Sequence, residues 1–334
     1  MQQCEIKHKD ALIRVEQLGA TKRRVSVEPK NKNFFVAYKS CETSYDLELI
    51  KEILSVKGPG YLCDEIMRDE SSEYLQKSLH YSLLSYVDKT AFANKRILDF
   101  GCGSGSSTMI LRRMFPGACL VGIDLEQNLL HLAKLRAAHH GFDDLTFLLS
   151  PDENSLPSDI GTFDYILLSA VFEHLLPEER NRLLPKMWQL LKPGGVLFIN
   201  RTPYRYFPIE VHTTGGLPLL NYLPNGVARW YARRFSKRNL HNDSWPVLLR
   251  KGIRGGSCKE ILGILRKTEQ QPLLLKPSQL GVKDRVDLWY RETNLTKQSA
   301  SKKGIFWLAK SLKLLTGLSV VPNLSLAIKK TEKI

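Results

Sequence analysis

The sequence predicts an α/β fold: a mostly parallel sheet of about seven strands with helices on both faces, a helical N-terminal cap, and insertions after strands five and six. Three observations carry this expectation. After residue 95, short apolar segments alternate with stretches of helical periodicity, a spacing that implies right-handed crossovers between parallel strands buried on both faces. The first apolar segment, RILDF, ends in a turn with Gly101, Gly103 and Gly105, followed by small hydroxyl residues that can open a helix. A Pro-Gly-Gly turn, in LLKPGGVLFI, ends a later helix and feeds another buried strand.

Taken in order, residues 1–45 are polar and irregular, with a basic patch at Lys22, Arg23 and Arg24 and one strand-like run, FFVAY, at 34–38. Residues 47–54 repeat their apolar positions at helical spacing until GPG at 58–60 stops them. A second helical region covers 61–92, with Tyr74, Leu75, Leu79, Leu83, Leu84 and Val87 on a face. Order alone places these helices over the ligand mouth or the sheet edge, so 1–92 is an N-terminal extension and cap, and 93–334 the α/β domain. In that domain strands are expected at 96–100, 119–125, 145–149, 163–170 and 196–200, and helices at 106–114, 128–140 and 177–191. Regularity then stops until a helix resumes near Ser257. PLLLK at 272–276 supplies a sixth strand and NLSLAIKK at 323–330 the last, with an apolar helix at 305–315 between them. The irregular segments, 203–254 and 279–320, are the two insertions and are expected to build the substrate side.

Charge is unevenly placed. The net charge is +15, yet residues 201–334 hold 25 Lys and Arg against 8 Asp and Glu, and residues 1–200 hold 24 against 26. A basic half beside a neutral half points to an anionic substrate, an anionic membrane surface or nucleic acid, or serves solubility alone. The six cysteines include no C-x-x-C pair, so neither a zinc site nor a disulfide framework is expected, and a reducing, cytoplasmic setting fits best. No apolar run is long enough to span a bilayer, and the N-terminus does not read as a signal peptide. The sequons at Asn242, Asn294 and Asn323 then mean little.

The glycine turn brings backbone close to a ligand and suggests a nucleotide-like cofactor. Its spacing is G-x-G-x-G, and Asp99 stands two residues ahead of the first glycine. That acid would repel a pyrophosphate and suits a cationic ligand. Asp124 ends the second strand, VGIDL, where a carboxylate can accept both hydroxyls of an unphosphorylated ribose, or else cap the next helix. SPDENSLP places Asp152 and Glu153 at the third strand end, either as acceptors for an adenine amino group or as a solvated loop.

In order, ILDFGCGSG, VGID, DENSLP, FDYILLSAVFEHL and LKPGG resemble the class I S-adenosylmethionine-dependent methyltransferases of the small-molecule type. The resemblance covers about residues 90–202. It implies S-adenosylmethionine as the cofactor and an antiparallel last strand. It also implies Gly101, Gly103 and Gly105 against the methionine moiety, Asp99 near its amino group, Asp124 on the ribose and Leu125 on the adenine. Asp152 and Glu153 would meet the adenine amino group, and Ser169 would contact the methionine part.

Methyl transfer to a hydroxyl needs an aligned acceptor and a general base. His174, with Glu173 beside it, follows strand four; His212 sits in FPIEVHTTGGLPLLNYLP after strand five, a stretch similar to an E-x-H-x-x-x-x-L-P segment of small-molecule methyltransferases. Either histidine is a candidate base, and either has a plain packing alternative. No metal is assigned; a cation bridging these His and Glu residues is the lesser alternative. The Asn-Pro-Pro-Tyr type of motif expected of nucleobase and amide methylation is replaced by SAVF, which leaves hydroxyl, carboxyl or amine acceptors. The expected acceptor is a small or lipid-linked molecule, the basic half suiting an anionic one, with RNA as the rival and a non-catalytic protein of the same fold as the other. GVARWYARRFSKR at 226–238 reads as a base-stacking or headgroup-binding segment, or as a helix burying Val227, Trp230 and Tyr231. KKGIFWLAKSLKLLTGLSVVP at 302–322 reads as a membrane-surface helix or as a core helix. Nothing in the sequence fixes the oligomeric state.

Overall fold

The structure, a computed structural model, describes residues 3–293 and 300–331. Asn294 and part of the second insertion therefore lie outside the described residues, as does 332–334.

The first surprise is at the N-terminus. Strands β1 (Gln3–Lys7), β2 (Ala11–Gln17), β3 (Arg23–Pro29) and β4 (Ser40–Thr43) form an antiparallel sheet in that order. This corrects the expectation of an irregular segment and of a purely helical cap. The sheet forms because Ala11, Ile13 and Val15 alternate inward on β2 and Val25 and Val27 on β3, while Arg14 pairs outward with Glu5 and Glu28. FFVAY is not a strand; it lies in the connection between β3 and β4, with Phe35 exposed.

Helix α1 (Leu47–Lys57) is capped by the Asp46 carboxylate, which accepts from the Leu49 amide, and stops at Gly58, whose φ of 72° is left-handed. The following region is not one helix. It breaks into α2 (Leu62–Glu70) and α3 (Lys77–Leu84) across a kink at Tyr74.

The central sheet follows the expected alternation. It runs through β5 (Arg96–Phe100), α4 (Ser106–Met114), β6 (Cys119–Asp124), α5 (Gln127–His139), β7 (Thr146–Leu149), β8 (Phe163–Ser169), α6 (Pro177–Leu190) and β9 (Leu191–Pro203). The first insertion holds β10 (Ile209–Glu210), β11 (Leu217–Pro218), α7 (Asn225–Phe235) and α8 (Trp245–Arg250). The chain then closes through α9 (Cys258–Leu265), β12 (Pro272–Leu274), α10 (Arg285–Glu292), α11 (Ala300–Thr316) and β13 (Asn323–Lys330). Among the described residues the sheet has seven strands in the order β12-β13-β9-β8-β5-β6-β7, and β13 runs antiparallel to both neighbours. LKPGG ends α6 as expected: β9 pairs first at Leu191, opposite Phe163, and the register then shifts past residues 192–195 before Val196 pairs with Tyr165.

Both faces of this sheet are buried, as parallel strands require. Leu98, Ile166, Leu168, Leu197 and Ile199 pack against α6 and α9; the intervening Ile97, Tyr165, Leu167, Val196 and Phe198 pack against α3 and α4. The N-terminal sheet joins this body through α1 and α2, whose apolar residues cluster with Leu132 of α5. The strand order reverses between β5 and β8, where a ligand crevice is expected at the carboxyl ends.

The insertion has a small core of its own, made by Leu217, Leu220, Ala228, Ala232, Leu240, Leu248 and Ile253. A helix does form within 226–238, as part of α7, but its buried face is Ala228 and Ala232, with Tyr231 half-buried against the same core; Val227 and Trp230 are exposed.

Candidate functional site

Two cavities meet at the reversal point, sharing Gly101 and Ala170. The larger, about 320 Å³, is lined by Asp124, Leu125, Asp152, Glu153, His174 and Arg250 among others. The smaller, about 130 Å³, takes in Gly103, Ser106, Ser107, Ser169, Lys57, Glu65, Arg68 and Arg201.

The glycine turn is built by backbone need. Gly101, Gly103 and Gly105 have φ of 69°, 56° and 82°, the left-handed region that side chains disfavour. A Cβ on Gly101 would lie 2.7 Å from Val171, and one on Gly105 2.7 Å from Ala133, so packing also excludes side chains there. At Gly103 nothing lies within 4 Å of such a Cβ, which leaves an open cradle beside the smaller cavity. Gly105 precedes α4 without any side-chain cap, and Ser106 and Ser107 of its first turn line that cavity, so the positive end of the helix faces it.

Asp99 is placed differently from the expectation. Its carboxylate is buried beneath the turn, where Oδ2 accepts from the hydroxyls of Ser107 at 2.6 Å and Thr108 at 2.7 Å, and it is not among the residues lining either cavity. Burial pushes its pKa up to about 6 against the pull of those two hydroxyls. It fastens the first turn of α4 to β5. Asp124, in contrast, reaches the larger cavity, and its oxygens accept from the amides of Gly103 at 2.8 Å and Glu126 at 3.0 Å. Leu125 is exposed beside it, and Asp152 and Glu153 are exposed along the same cavity. Ser169 lines the smaller cavity, and its buried Oγ has no hydrogen-bond partner among the described residues.

Glu173, His174 and His212 come together although 38 residues separate the two histidines in sequence. Their rings lie 5.5 Å apart, and the three residues offer ligand atoms within 4.8 Å of one another. His174 Nδ1 lies 2.7 Å from the Arg250 carbonyl. A carbonyl only accepts, so Nδ1 carries the proton and Nε2 is left as an acceptor. Glu173 is fully buried, with Oε2 accepting from Thr202 at 3.2 Å and Oε1 without a hydrogen bond among the described residues, 3.9 Å from His174 Nε2; burial pushes its carboxyl up, with His174 opposing. Burial lowers His212 to about 4, helped by His174 and Arg238, so its ring is neutral near pH 7. The insertion reaches this corner through Gly252, where a Cβ would stand 2.8 Å from the His212 ring and 3.3 Å from Glu173. Glu210 does not join the cluster; it is buried and accepts from the amides of Thr213 and Thr214, shaping the loop.

The remaining wall comes from residues that sequence reasoning missed. Arg250 of α8 grips Glu179 of α6 with both terminal nitrogens while its carbonyl holds His174. Glu65 lines the smaller cavity, accepts from Ser104, and meets Arg136, which is buried on α5 and also binds Asp69 at 2.9 Å and Ser106. Burial pushes both carboxyls up, but Arg136 together with Arg68, Lys57 and Ser104 at Glu65, and with His140, Tyr45 and Arg113 at Asp69, holds them below the usual carboxylate range. A lone arginine in the apolar pattern of LLHLAKLRAA was the available signal.

The family profile described as a methyltransferase domain matches residues 97–195. A ubiquinone biosynthesis O-methyltransferase of Nitrosococcus oceani shares 35% identity over 148 residues, covering 43% of this chain and 59% of that protein. One of Neisseria meningitidis serogroup A shares 30% over 170 residues, covering 48% and 68%. A demethylmenaquinone methyltransferase of Thermus thermophilus shares 31% over 151 residues, covering 40% and 67%. The chain thus spans roughly half to two-thirds of the length of the curated relatives it matches. With the sheet order, the left-handed glycine turn and the acid closing β6, these matches place the chain in the class I S-adenosylmethionine-dependent methyltransferases.

Proposed function

We propose that this chain transfers a methyl group from S-adenosylmethionine to an oxygen of a small-molecule or lipid-linked acceptor, with His174 as the general base. The observation that carries this reading is the meeting of the glycine turn and Asp124 with His174 at one cavity, the imidazole fixed so that Nε2 accepts. Relatives named as O-methyltransferases support oxygen as the acceptor atom.

The residues fit the cofactor. The open cradle at Gly103 and the orphaned Ser169 Oγ suit its methionine part, and Asp124 suits the ribose hydroxyls. Leu125 would pack on the adenine, with Asp152 and Glu153 near its amino group. Arg68, Arg201 and the start of α4 would take the carboxylate, and Glu65 the amino group. When bound, the cofactor supplies an electrophilic methyl on a positive sulfur. His174 Nε2 accepts the proton of an acceptor hydroxyl held in the larger cavity. Glu173 and His212, both biased to their neutral forms, pack around the imidazole and hold its orientation.

Two readings compete, each with an observation behind it. A divalent cation at Glu173, His174 and His212 would use their clustered ligand atoms, and RNA would use the basic excess after residue 200. Transfer of labelled methyl to phenols, carboxylic acids and RNA, with and without a chelator, separates them. The expected label is on phenolic oxygen at a rate that chelation leaves unchanged. Label in RNA, or a rate abolished by chelation and restored by a divalent metal, contradicts the proposal.

A further inference from the structure

Helix α11 carries its apolar residues on the wrong side for a core helix. Its inner residues Ile305, Phe306 and Ala309 cluster with Val286, Trp289 and Tyr290 of α10. Its outer stripe is Trp307, Leu308, Leu314 and Leu315, continued by Leu318 just past the helix end. They are 67%, 71%, 89%, 83% and 62% exposed. Spacings of one, seven and eight residues put the four helical ones on one face of a 3.6-residue period, where a solvated helix would carry charge. Four large side chains in one exposed stripe, with Leu318 exposed just beyond, are more than the scattered apolar residues normal on a surface.

Trp307 also lines a groove of about 660 Å³ between α3, α10 and α11. Lys77, Lys283, Arg291 and Lys310 stand in it with one acid, Asp287, and with Tyr81, Tyr290 and Phe306. Lys77 is paired with Glu73, and Lys310 with Asp284 and Asp287. That leaves Lys283 and Arg291, both exposed, without a carboxylate partner among the described residues. An apolar stripe with a tryptophan at its edge and unneutralised cations along its flank matches an acyl layer beneath anionic headgroups. The segment after α11 returns to the carboxyl end of β9, where the Tyr204 amide donates to the Pro322 carbonyl, so the stripe is tied to the end of the sheet that carries the site.

We propose that α11 and the basic groove beside it form a docking surface for an anionic lipid bilayer, with the stripe entering the interface and Lys283 and Arg291 meeting headgroup phosphates. The readout is lipid binding, which stands apart from methyl transfer. The test is co-sedimentation of the full chain with vesicles of phosphatidylcholine alone and of phosphatidylcholine containing phosphatidylglycerol. The wild-type chain is expected to partition onto the anionic vesicles only. Leu314→Ser with Leu315→Ser, and separately Lys283→Glu with Arg291→Glu, are expected to lower that partition by about tenfold or more with cofactor affinity unchanged. Because the exchanged side chains are exposed, the variants keep the fold. Wild-type protein remaining in the supernatant, or partition indifferent to both pairs, overturns the proposal. So does a dimer in light scattering that the Leu314→Ser, Leu315→Ser pair dissociates, which gives the stripe to a second copy of the chain.

Discussion

The turn after β5 and the insertion between β9 and α9 supply opposite sides of one site, but they are specified in different ways. The turn is local. Gly101, Gly103 and Gly105 adopt their left-handed conformations within five residues, and Asp124 is delivered by the neighbouring parallel strand. The insertion is assembled at a distance: Arg250 and His212 meet Glu173 and His174 only because α8 docks on the turn after β8 through Gly252. Under the proposed function, cofactor binding would belong to the local side, and proton handling would depend on the junction.

That contrast can be broken most severely at His174. His174→Ala is expected to lower kcat by about 10²–10⁴-fold while the dissociation constant for S-adenosylmethionine changes little, as measured by steady-state kinetics and calorimetry. His212→Ala, which removes a neutral neighbour of the imidazole, is expected to cost less. A larger loss at His212 would move the base into the insertion.

The N-terminal wall offers the next test. Arg136 is fully buried between Glu65 and Asp69, so Arg136→Leu takes the buried cation from two buried carboxylates. The expected loss is about 3–5 kcal/mol in denaturant unfolding. A change within error would make α1 and α2 an appended cap and not an integral wall.

A smaller effect separates the second insertion from the first. Glu292 of α10 is buried against the Ser325 hydroxyl, 2.8 Å from both carboxyl oxygens, and burial pushes it up to about 7 from 4.5. The folded state thus holds the proton more tightly than the unfolded one. Its contribution is fully present below pH 4.5 and is lost as pH rises through about 7, at most about 3 kcal/mol. Glu292→Gln should flatten this part of the stability profile, raising stability relative to wild type at pH 8 more than at pH 5. Equal differences at both pH values would deny the shift.

The central sheet was legible because its signals are periodic: each strand between Arg96 and Asn200 and the last strand, Asn323–Lys330, is bounded by turns that the chain itself encodes. The N-terminal sheet was not, since Ala11, Ile13, Val15, Val25 and Val27 alternate with charged residues in short runs that resemble polar coil. Asp99 illustrates a second limit. Its position was legible, but the direction of its carboxylate depended on Ser107 and Thr108 one helical turn into α4. Helix α7 shows the same ambiguity, with bulky and small faces both at helical spacing and only packing deciding which turned inward. Arg136, Arg201 and Arg250 were hidden because charged residues announce a site only when their partners are known.

The most direct measurement is calorimetric titration of S-adenosylmethionine into wild type, Asp124→Ala and Gly103→Val, with circular dichroism on each. Asp124 reaches the cavity without carrying the core, and the space at Gly103 is open although its φ of 56° penalises valine. The account expects saturable binding by wild type and none by either variant, with the folded signal retained in both. Affinity close to wild type in both folded variants would contradict it.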